Sequence, residues 1–336
     1  MNHSVKSANL HGVGDLRYED TPLSPCGEDE VTLQVHCCGI CGSDLGRVFV
    51  KGTYHFPTII GHEFSGRVVH DPKSTLEGMR AVVFPLLPCF ACESCLAGNY
   101  ATCAHYDYYG SRRDGGMTEY LNVRRWNVIP MPQGLSYAEG AMCEPVSVAR
   151  HAVRKLGIAP GEQMFISGAG PIGLVAGMWA RHFGAAQVYY IDVDQRKLDF
   201  AKTLGFASYA GETVDCALEG TGYSDALERC LASVRPGGRV VLMGNPAGEV
   251  TLSQNTYWYI LRKELHVAGT WNSSFNDQEN DWKESLRAMA AGEIDVRGLI
   301  THRYPLSQCL EAFAMMKEHR AFYNKVMLEM NGGDDE

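Results

Sequence analysis

The sequence has no long apolar segment. No run of apolar residues in the 336-residue chain approaches about 18, the length that a helix needs to cross a bilayer. The segment after Met1-Asn2-His3-Ser4 is mixed and polar, and it lacks the apolar core of an export signal. We therefore expect a protein that does not span a membrane.

An excess of positive charge is also missing. The chain has 30 lysine and arginine residues against 39 aspartate and glutamate residues, which gives a formal net charge of −9. Nucleic acids and anionic membranes select a positive surface, so we expect neither as a partner. The expected partner is a small molecule.

Internal repeats and low-complexity tracts are absent as well. A hydrophobic content of 45% with 21% charged residues is typical of a globular protein. Because 336 residues exceed the usual size of a single core, we expect two domains.

The spacing of cysteine is the most informative pattern that is present. Cys89-x-x-Cys92-x-x-Cys95 is followed by Cys103, so four thiols lie close together along the chain. Zinc binds thiolates in closed tetrahedral sites, which predicts a structural zinc lobe; buried thiols or disulfides are the alternative. Twelve cysteines without an export signal also indicate a reducing compartment, and we expect the cytoplasm.

Two periodicities divide the chain. Val31, Leu33, Val35 and Cys37 alternate with polar residues, as in a half-buried strand. Glycine, proline and aromatic residues recur throughout residues 54–120, as in short strands joined by loops. This pattern predicts a mostly β first region of small-barrel character.

A βαβ rhythm follows from about residue 160, which predicts a parallel, doubly wound sheet of about six strands. The predicted strands include 164–167, 188–191, 214–218, 239–243 and 265–269, with a helix over 171–183. Residues 294–330 contain a short strand and an amphipathic run, 306–316, that suit a return to the first region. We therefore predict one domain of residues 1–153 and 292–336 and a second domain of residues 154–291.

The run Gly168-Ala169-Gly170-Pro171-Ile172-Gly173 has the G-x-G-x-x-G form between a predicted strand and a predicted helix. Gly168 permits the tight turn, Gly170 lets a pyrophosphate approach the backbone, and Gly173 lets helix and strand pack closely. This context predicts a dinucleotide site. A plain strand-to-helix connection without a ligand is the alternative.

An acidic residue indicates which dinucleotide binds. Asp192 ends the next predicted strand, about 20 residues on, where a carboxylate can bind a ribose diol. Its charge would repel a 2′-phosphate, so we expect NAD rather than NADP. Arg196, a cofactor-binding candidate in the next helix, weakens this preference slightly, although a solvated surface charge is the simpler interpretation.

A second, mixed set of metal-ligand types lies outside the cysteine loop. Cys41 follows the first predicted strand, while His62-Glu63 and Glu144 lie further along the chain. A thiol, an imidazole and carboxylates can bind zinc and leave one position open, as catalytic zinc requires. Taken singly, the thiol is equally consistent with burial in a core, the imidazole with a core histidine, and each carboxylate with a solvated charge.

At this point the chain resembles the zinc-dependent medium-chain dehydrogenases over nearly its whole length. The resemblance rests on Cys41-Gly42-Ser43-Asp44, Gly61-His62-Glu63, the four-cysteine loop, Glu144-Pro145 and the glycine turn, in that order. It implies a GroES-like catalytic domain with a structural zinc lobe, a Rossmann-type NAD domain and two zinc ions per chain. The implied ligands of the catalytic zinc are Cys41, His62 and Glu144, with Glu63 as an alternating or second-sphere ligand.

The chain has an acid rather than a cysteine at position 144, and in this it resembles the polyol branch of that family. Segments 85–89, 110–116, 261–265 and 269–274 are similar to members that act on polyol phosphates. The implied reaction is oxidation of a secondary hydroxyl, with galactitol 1-phosphate as the first candidate substrate. Sorbitol, L-iditol, L-gulonate and L-threonine are alternatives, and a non-catalytic, zinc-stabilised cofactor-binding protein is an alternative of another class.

Four residues near these motifs have candidate roles. Ser43 can relay the proton that the reaction releases, or its hydroxyl can be tied to the backbone. Asp44 can bind the free nitrogen of the histidine or cap a helix. Arg112 and Arg113 can bind a phosphate or a hydroxyl-rich chain, and ion pairing or exposure accounts for each of them equally well.

Two further expectations come from the resemblance. The last sheet strand of this fold often pairs between subunits, so we expect a homodimer or homotetramer. The loop over residues 71–82 is shorter than the family pattern and differs from it in sequence. None of the candidate metal ligands lies in that loop.

Overall fold

The structure is a computed structural model that describes residues 4–334. This part of the chain forms two compact units. The first contains the residues up to Glu144 and those from Ser274 onward, and the second is Pro145–Ser273. Both borders lie earlier in the chain than the sequence-based borders after residues 153 and 291, and in both divisions a discontinuous unit surrounds a continuous one.

The first unit opens with ten strands, most of them short. In chain order they are β1 (Ser4–Gly12), β2 (Asp15–Pro22), β3 (Glu30–Ile40), β4 (Thr58–Ile59), β5 (Glu63–His70), β6 (Arg80–Val83), β7 (Leu86–Leu87), β8 (Asp107–Tyr108), β9 (Tyr120–Arg124) and β10 (Val128–Pro130). The helices of this part are α1 (Gly42–Gly46), α2 (Glu93–Leu96) and α3 (Tyr137–Ala141), together with a π-helical turn at Arg47–Lys51 and 3₁₀ turns at Tyr100–Thr102 and Arg125–Asn127. The next helix, α4 (Cys143–Leu156), begins in the first unit and continues into the second.

Strands and helices alternate in the second unit. Its elements after α4 are β11 (Gln163–Ser167), α5 (Pro171–His182), β12 (Gln187–Ile191), α6 (Gln195–Thr203), β13 (Ala207–Ser208), β14 (Val214–Glu219), α7 (Ser224–Ser233), β15 (Val234–Leu242), α8 (Gln254–Arg262) and β16 (His266–Gly269).

The chain then completes the first unit. The last elements are α9 (Asp281–Ala290), a 3₁₀ turn at Arg297–Leu299, β17 (Ile300–Pro305), a 3₁₀ turn at Leu306–Gln308, α10 (Cys309–Lys317) and β18 (Lys325–Glu329). None of the helices within residues 4–334 has the length and apolar character needed to cross a bilayer.

A seven-stranded sheet organises the first unit. Its order is β10-β6-β5-β3-β18-β17, and β9 also pairs with β3. The alternating residues Val31, Leu33 and Val35 of β3 are all fully buried in the core of this unit. The sequence predicted a single strand near the C-terminus, but the structure has two, and β18 lies between β3 and β17. A short strand of mostly apolar residues such as β18 carries too little periodicity to be recognised alone.

The second unit contains a six-stranded, fully parallel sheet with the order β13-β12-β11-β14-β15-β16. The chain starts in the middle with β11, moves outward on one side to β13, and then continues on the other side from β14. This is a doubly wound order, and ligands of such sheets bind where the winding direction changes. The structure confirms the predicted fold class. The two-residue strand β13 is too short for its pattern to be read from sequence.

Candidate functional site

Four thiols form a closed cluster in the first unit. The sulfur atoms of Cys89, Cys92, Cys95 and Cys103 all lie within 4.8 Å of one another. The Sγ atoms are 3.8 Å apart for Cys89 and Cys95 and 3.9 Å apart for Cys92 and Cys103. Tetrahedral zinc with Zn–S bonds of about 2.3 Å requires sulfur separations of about 3.8 Å. The cluster therefore fits zinc closely and leaves no position open.

Backbone amides stabilise negative charge on these sulfurs. The amide of Cys92 donates to the Cys89 sulfur at 3.4 Å, and the amides of Cys89 and His105 donate to the Cys103 sulfur at the same distance. Hydrogen bonds from the backbone of Cys95 and Ala104 lower the pKa of Cys92 to about 6. Because zinc binds the thiolate form, this environment favours metal binding over free thiols.

A second cluster forms where two strands of the large sheet end. Strands β3 and β5 are antiparallel, and Gly39 lies opposite Glu63 in their register. Cys41 follows the end of β3 and His62 precedes the start of β5, so both come to the same edge. Ligand atoms of Cys41, His62 and Glu63 lie within 4.8 Å of one another. A Cβ atom at Gly39 would overlap Oε2 of Glu63, so a larger residue at this position would displace the carboxylate.

Asp44 connects the histidine to the helix that follows Cys41. Its carboxylate lies 3.3 Å from Nδ1 of His62, accepts the Cys41 amide at 3.0 Å and accepts an Arg47 N–H at 2.8 Å. Asp44 therefore caps α1 and also faces the histidine. Burial opposes the charge on both groups, but their mutual attraction holds the pKa of Asp44 at about 2 and raises the pKa of His62 well above its usual value.

Glu63 has one paired oxygen and one unpaired oxygen. Oε2 accepts a hydrogen bond from Nζ of Lys325 at 2.5 Å, and both side chains are buried. Oε1 is buried and has no hydrogen-bond partner among the described residues. A buried, unpaired carboxylate oxygen beside a thiol and an imidazole is the donor set that a zinc ion satisfies.

Glu144 lies beside this cluster in the first turn of α4. Its Oε1 is 3.4 Å from the hydroxyl of Tyr108, which donates to it. Burial, together with the charge of Glu63, raises the pKa of Glu144 to about 7, and the opposing charge of His62 limits the shift. The carboxylate of Glu144 is not within 4.8 Å of the ligand atoms of all three other candidates. Glu144 therefore lies next to the cluster and is not one of its three members.

The other predicted site residues of this unit, Ser43, Arg112 and Arg113, each have different contacts. Ser43 accepts a hydrogen bond from Arg47 at 2.9 Å. The guanidinium of Arg112 lies over the rings of Tyr54 and Tyr106, whereas Arg113 pairs with an aspartate, Asp107, at 3.1 Å. The two neighbouring arginines therefore have different environments.

The glycine turn of the second unit has the geometry of a phosphate-binding turn. Gly168 has a φ of +102°, which favours glycine, and a Cβ at Gly173 would overlap the carbonyl oxygen of Gly168. A Cβ at Gly170 would meet no atom within 4 Å, so the space beside it is open. Pro171 is the first residue of α5 and Ile172 is the second, and no side chain caps the amides of this helix end. Such an end attracts an anion.

Asp192 and Arg196 lie beyond the next strand. Asp192 accepts the amide of Ala169 at 2.9 Å and the amide of Asp194 at 2.9 Å, which ties the end of β12 to the glycine turn. The side chain of Arg196 pairs with Asp194, which caps α6. Arg196 is therefore held on the helix that carries it.

Three residues of the first unit that contact the candidate ligands or Asp44 were not identified from sequence. Tyr108 lies in a run of aromatic residues, and its ring centroid is 5.8 Å from that of His62. Arg47 stands three residues after Asp44, a helical spacing for an ion pair that the sequence offers. The sequence around Lys325 shows only a single lysine at the start of an apolar run, which does not indicate a role in the site.

The folds and the two ligand clusters define a class, the metal-dependent dehydrogenases that bind a nicotinamide dinucleotide. Family models agree with this class: the alcohol dehydrogenase GroES-like domain matches residues 27–133, and the zinc-binding dehydrogenase model matches residues 171–291. The chain belongs to the zinc-binding medium-chain dehydrogenase family, as the sequence motifs predicted.

Several relatives of the chain are named as polyol dehydrogenases. The chain is 36% identical to galactitol 1-phosphate 5-dehydrogenase of Escherichia coli K12, over 82% of this chain and 86% of that protein. A crystal structure of the Escherichia coli galactitol-1-phosphate dehydrogenase superposes with a TM-score of 0.90 at 32% identity and covers 96% of this chain and 99% of that one. The chain is also 31% identical to sorbitol dehydrogenase of Bacillus subtilis 168, over 98% of this chain and all of that protein.

One structural neighbour bears on the cofactor. A Sinorhizobium meliloti protein described as a zinc-binding dehydrogenase, bound to NADP, has a TM-score of 0.88 at 26% identity and covers 97% of this chain and 99% of its own. This neighbour shows a nicotinamide dinucleotide bound to a protein of the same fold, and this chain belongs to a family of zinc-binding dehydrogenases that includes the polyol dehydrogenases above.

Proposed function

We propose that this enzyme oxidises a secondary hydroxyl of a sugar-alcohol phosphate with NAD, and that galactitol 1-phosphate, giving tagatose 6-phosphate, is its substrate. The observation that carries the proposal is the cluster of Cys41, His62 and Glu63, in which Oε1 of Glu63 is buried without a partner. The similarity to galactitol 1-phosphate 5-dehydrogenase over 82% of the chain supports the choice of substrate.

The residues present fit a catalytic zinc ion. Cys41, His62 and Glu144 are its proposed ligands, and Glu63 is an alternating or second-sphere ligand. Nδ1 of His62 faces Asp44, so Nε2 is the nitrogen available to the metal. When bound, zinc supplies Lewis acidity that lowers the pKa of a substrate hydroxyl. The proposed structural zinc ligands are Cys89, Cys92, Cys95 and Cys103, which gives two ions per chain.

Protein groups around this set orient the ligands and move the proton. Asp44 and Tyr108 fix the directions of His62 and Glu144 through the contacts described above. The oxygen of Ser43 already accepts from Arg47, so the hydroxyl hydrogen of Ser43 is free to be donated onward. We assign Ser43 to passing the released proton toward solvent.

The second unit binds the hydride acceptor. Gly168, Gly170, Pro171, Ile172 and Gly173 form the proposed pyrophosphate turn, supported by the open space beside Gly170. Each oxygen of Asp192 accepts one amide and keeps a lone pair for a ribose hydroxyl. The charge of Asp192 disfavours a 2′-phosphate. Arg196, the cation that could bind such a phosphate, is paired with Asp194 instead, so we assign NAD rather than NADP.

A substrate panel tests the proposal. Galactitol 1-phosphate, galactitol, sorbitol, L-iditol, L-gulonate and L-threonine are each mixed with NAD or NADP, and absorbance of the reduced cofactor is followed. We expect the highest kcat/KM with galactitol 1-phosphate and NAD. Highest activity with sorbitol would favour the second candidate, which the similarity to sorbitol dehydrogenase supports. Activity with NADP alone would contradict the assignment of Asp192.

Zinc content separates an enzyme from a non-catalytic protein. Near two zinc atoms per chain are expected if both clusters bind metal. A single atom that remains in a Cys41→Ala variant and in the wild type alike would indicate that only the four-thiol cluster binds zinc. That result would favour a zinc-stabilised cofactor-binding protein.

Self-association and location complete the proposal. All four residues of β16, an edge strand of the parallel sheet, are exposed, and so are Tyr257 and Leu261 of the preceding helix. A second copy of the chain covers such an edge by strand pairing, which predicts a homodimer or homotetramer measurable by light scattering. All twelve cysteines are free of disulfides, which supports a reducing compartment such as the cytoplasm.

A further inference from the structure

The guanidinium of Arg112 contacts two aromatic rings. Its guanidinium carbon lies 4.1 Å from the ring centroid of Tyr54 and 4.6 Å from that of Tyr106. One of its terminal nitrogens donates to the hydroxyl of Tyr54 at 3.2 Å. Two rings therefore contact the guanidinium, and this bond uses one of its five N–H groups.

The backbone around this arginine is anchored as well. The ring nitrogen Nε2 of His55 donates to the carbonyl oxygen of Arg112 at 3.0 Å. The amide of Tyr54 donates to the carbonyl oxygen of Ser111 at 3.2 Å. These bonds join the loop before β4 to the loop after β8, so the position of the guanidinium is set by two segments of the chain.

The charge of Arg112 is not neutralised. Among the residues that the structure describes, no carboxylate pairs with its guanidinium. The neighbouring Arg113 differs, because it forms an ion pair with Asp107 at 3.1 Å and lies over the ring of Tyr109. It also lines a separate cavity of about 220 Å³ together with Glu30 and Asn122. Of the two arginines, Arg112 is the one that offers an uncompensated cation.

A row of rings connects this cation to the candidate catalytic cluster. The ring of Tyr106 contacts that of Tyr108 edge-on, with centroids 6.2 Å apart. The ring of Tyr108 lies 5.8 Å from that of His62, and its hydroxyl donates to Glu144. Arg112 thus stands two tyrosine rings away from the proposed metal ligands, and all of these residues belong to one compact unit.

We propose that Arg112, clamped by Tyr54 and Tyr106, is the phosphate subsite of this enzyme and selects a phosphorylated polyol over the free polyol. The inference rests on the function proposed above. A guanidinium presents parallel N–H groups that match two oxygens of a phosphate, and the clamp fixes this fork before the substrate arrives. The hydroxyl chain of the substrate then extends along the tyrosine row toward the ligand cluster.

Steady-state kinetics with Arg112→Gln test this assignment. The quantity measured is the ratio of kcat/KM for galactitol 1-phosphate to kcat/KM for galactitol. We expect this ratio to fall by roughly 10- to 100-fold, because a charge-assisted pair to the phosphate is lost. Arg113→Gln is the matched control and should leave the ratio unchanged. A ratio that is unchanged in Arg112→Gln, or that falls equally in both variants, would overturn the assignment.

Direct binding provides a readout that does not depend on turnover. Isothermal titration calorimetry measures the binding of galactitol 1-phosphate and of L-gulonate to the zinc-loaded protein with NADH, which cannot accept a hydride, so that neither compound is oxidised. Arg112→Gln should weaken the sugar phosphate roughly 10- to 100-fold, and Arg112→Lys should recover only part of the loss because lysine lacks the planar fork. A greater loss for L-gulonate than for the phosphate would instead assign Arg112 to a carboxylate and overturn the phosphate subsite.

The two experiments separate the failure of this inference from the failure of the proposed function. If the wild type turns over no polyol and no polyol phosphate, the proposed function fails, and calorimetry still decides the role of Arg112. If the wild type oxidises galactitol 1-phosphate and both arginine variants behave like it, the function stands and the subsite is wrong. Tyr54 is 69% exposed, so Tyr54→Leu provides a further variant with little risk to folding, and it should lower the same ratio.

Discussion

Nζ of Lys325 lies 2.5 Å from Oε2 of Glu63, and neither side chain is exposed by more than 3%. The two residues are brought together by β18, which pairs with β3 on the side opposite to β5. Burial lowers the pKa of a lysine, but the carboxylate of Glu63 outweighs that effect and raises the pKa of Lys325. Lys325 is therefore held in its charged form beside the Glu63 carboxylate.

Replacing Lys325 by methionine should destabilise the protein strongly. The substitution leaves the Glu63 carboxylate buried without its cation, and removal of one partner from a buried pair typically lowers the free energy of unfolding by about 3–5 kcal/mol. Urea denaturation followed by tryptophan fluorescence measures the loss. The control is Lys73→Met, which removes an exposed pair with Asp29 and should change stability by less than about 1 kcal/mol.

The double variant Glu63→Gln with Lys325→Met distinguishes the effect of the unpaired charge on stability from the effect of lost side-chain packing. Because it removes both charges, it should be more stable than Lys325→Met alone. If Lys325→Met alone loses no more stability than Lys73→Met, the buried pair contributes nothing to the free energy of unfolding.

Zinc stoichiometry should follow the two clusters separately. Cys92→Ser should remove one zinc atom per chain and lower the unfolding temperature, because the closed four-thiol site contributes to folding. Cys41→Ser should remove the other atom and abolish dehydrogenase activity. Cys26→Ser, a free cysteine outside both clusters, serves as the control and should keep both atoms. Metal content is measured by inductively coupled plasma spectrometry on dialysed protein.

Asp71 should make stability depend on acidic pH. Its carboxylate accepts the amides of Lys73 at 2.8 Å, Thr75 at 2.8 Å and Leu76 at 2.7 Å, and it pairs with Arg125. Burial opposes its charge, but these partners hold the pKa of Asp71 well below its usual range. It therefore organises the loop whose sequence departs from the family pattern.

The sign follows from this lowered pKa. The stabilisation is fully present above the unfolded pKa, near pH 4, and is lost as the pH falls through the lower pKa of the folded state. The difference in urea midpoint between the wild type and Asp71→Asn should thus be largest at about pH 7 and should shrink below about pH 3. Asp29→Asn is the exposed control. A difference that is independent of pH would contradict the role given to the charge of Asp71.

Asp192→Asn should change cofactor preference. The amide retains an acceptor for one backbone N–H but loses the charge that repels a 2′-phosphate. We expect the ratio of kcat/KM with NAD to that with NADP to fall roughly tenfold, the effect of about one hydrogen bond to a charged group. Asp199→Asn, an exposed position on α6, is the matched control. An unchanged ratio would place the selectivity elsewhere.

Much of the fold was predictable from sequence because its signals are local. The four cysteines and the glycine turn each lie within 15 consecutive residues, and the alternation in β3 and the βαβ rhythm repeat over short windows. The candidate catalytic cluster was predictable only through the order of its motifs. Nothing in the chain near Cys41 indicates that Glu144 would lie beside it.

The contacts that escaped prediction are those that depend on strand order. Lys325 reaches Glu63 across 262 positions because β18 inserts next to β3, and no local pattern encodes that insertion. The different environments of Arg112 and Arg113 likewise depend on tyrosines supplied by two loops. Two identical neighbouring residues cannot be told apart by composition or spacing.

The position of β18 also has a consequence for synthesis of the chain. During translation, all six strands of the parallel sheet leave the ribosome before residue 325 does, so the second unit can fold while the first still lacks a strand. Until β18 emerges, residues Cys37–Ile40 of β3 have no strand partner on one side and Glu63 has no neutralising ammonium group. The region encoded first is therefore the last to mature, and a nascent chain stalled late in translation would contain a finished nucleotide-binding unit beside an incomplete catalytic one.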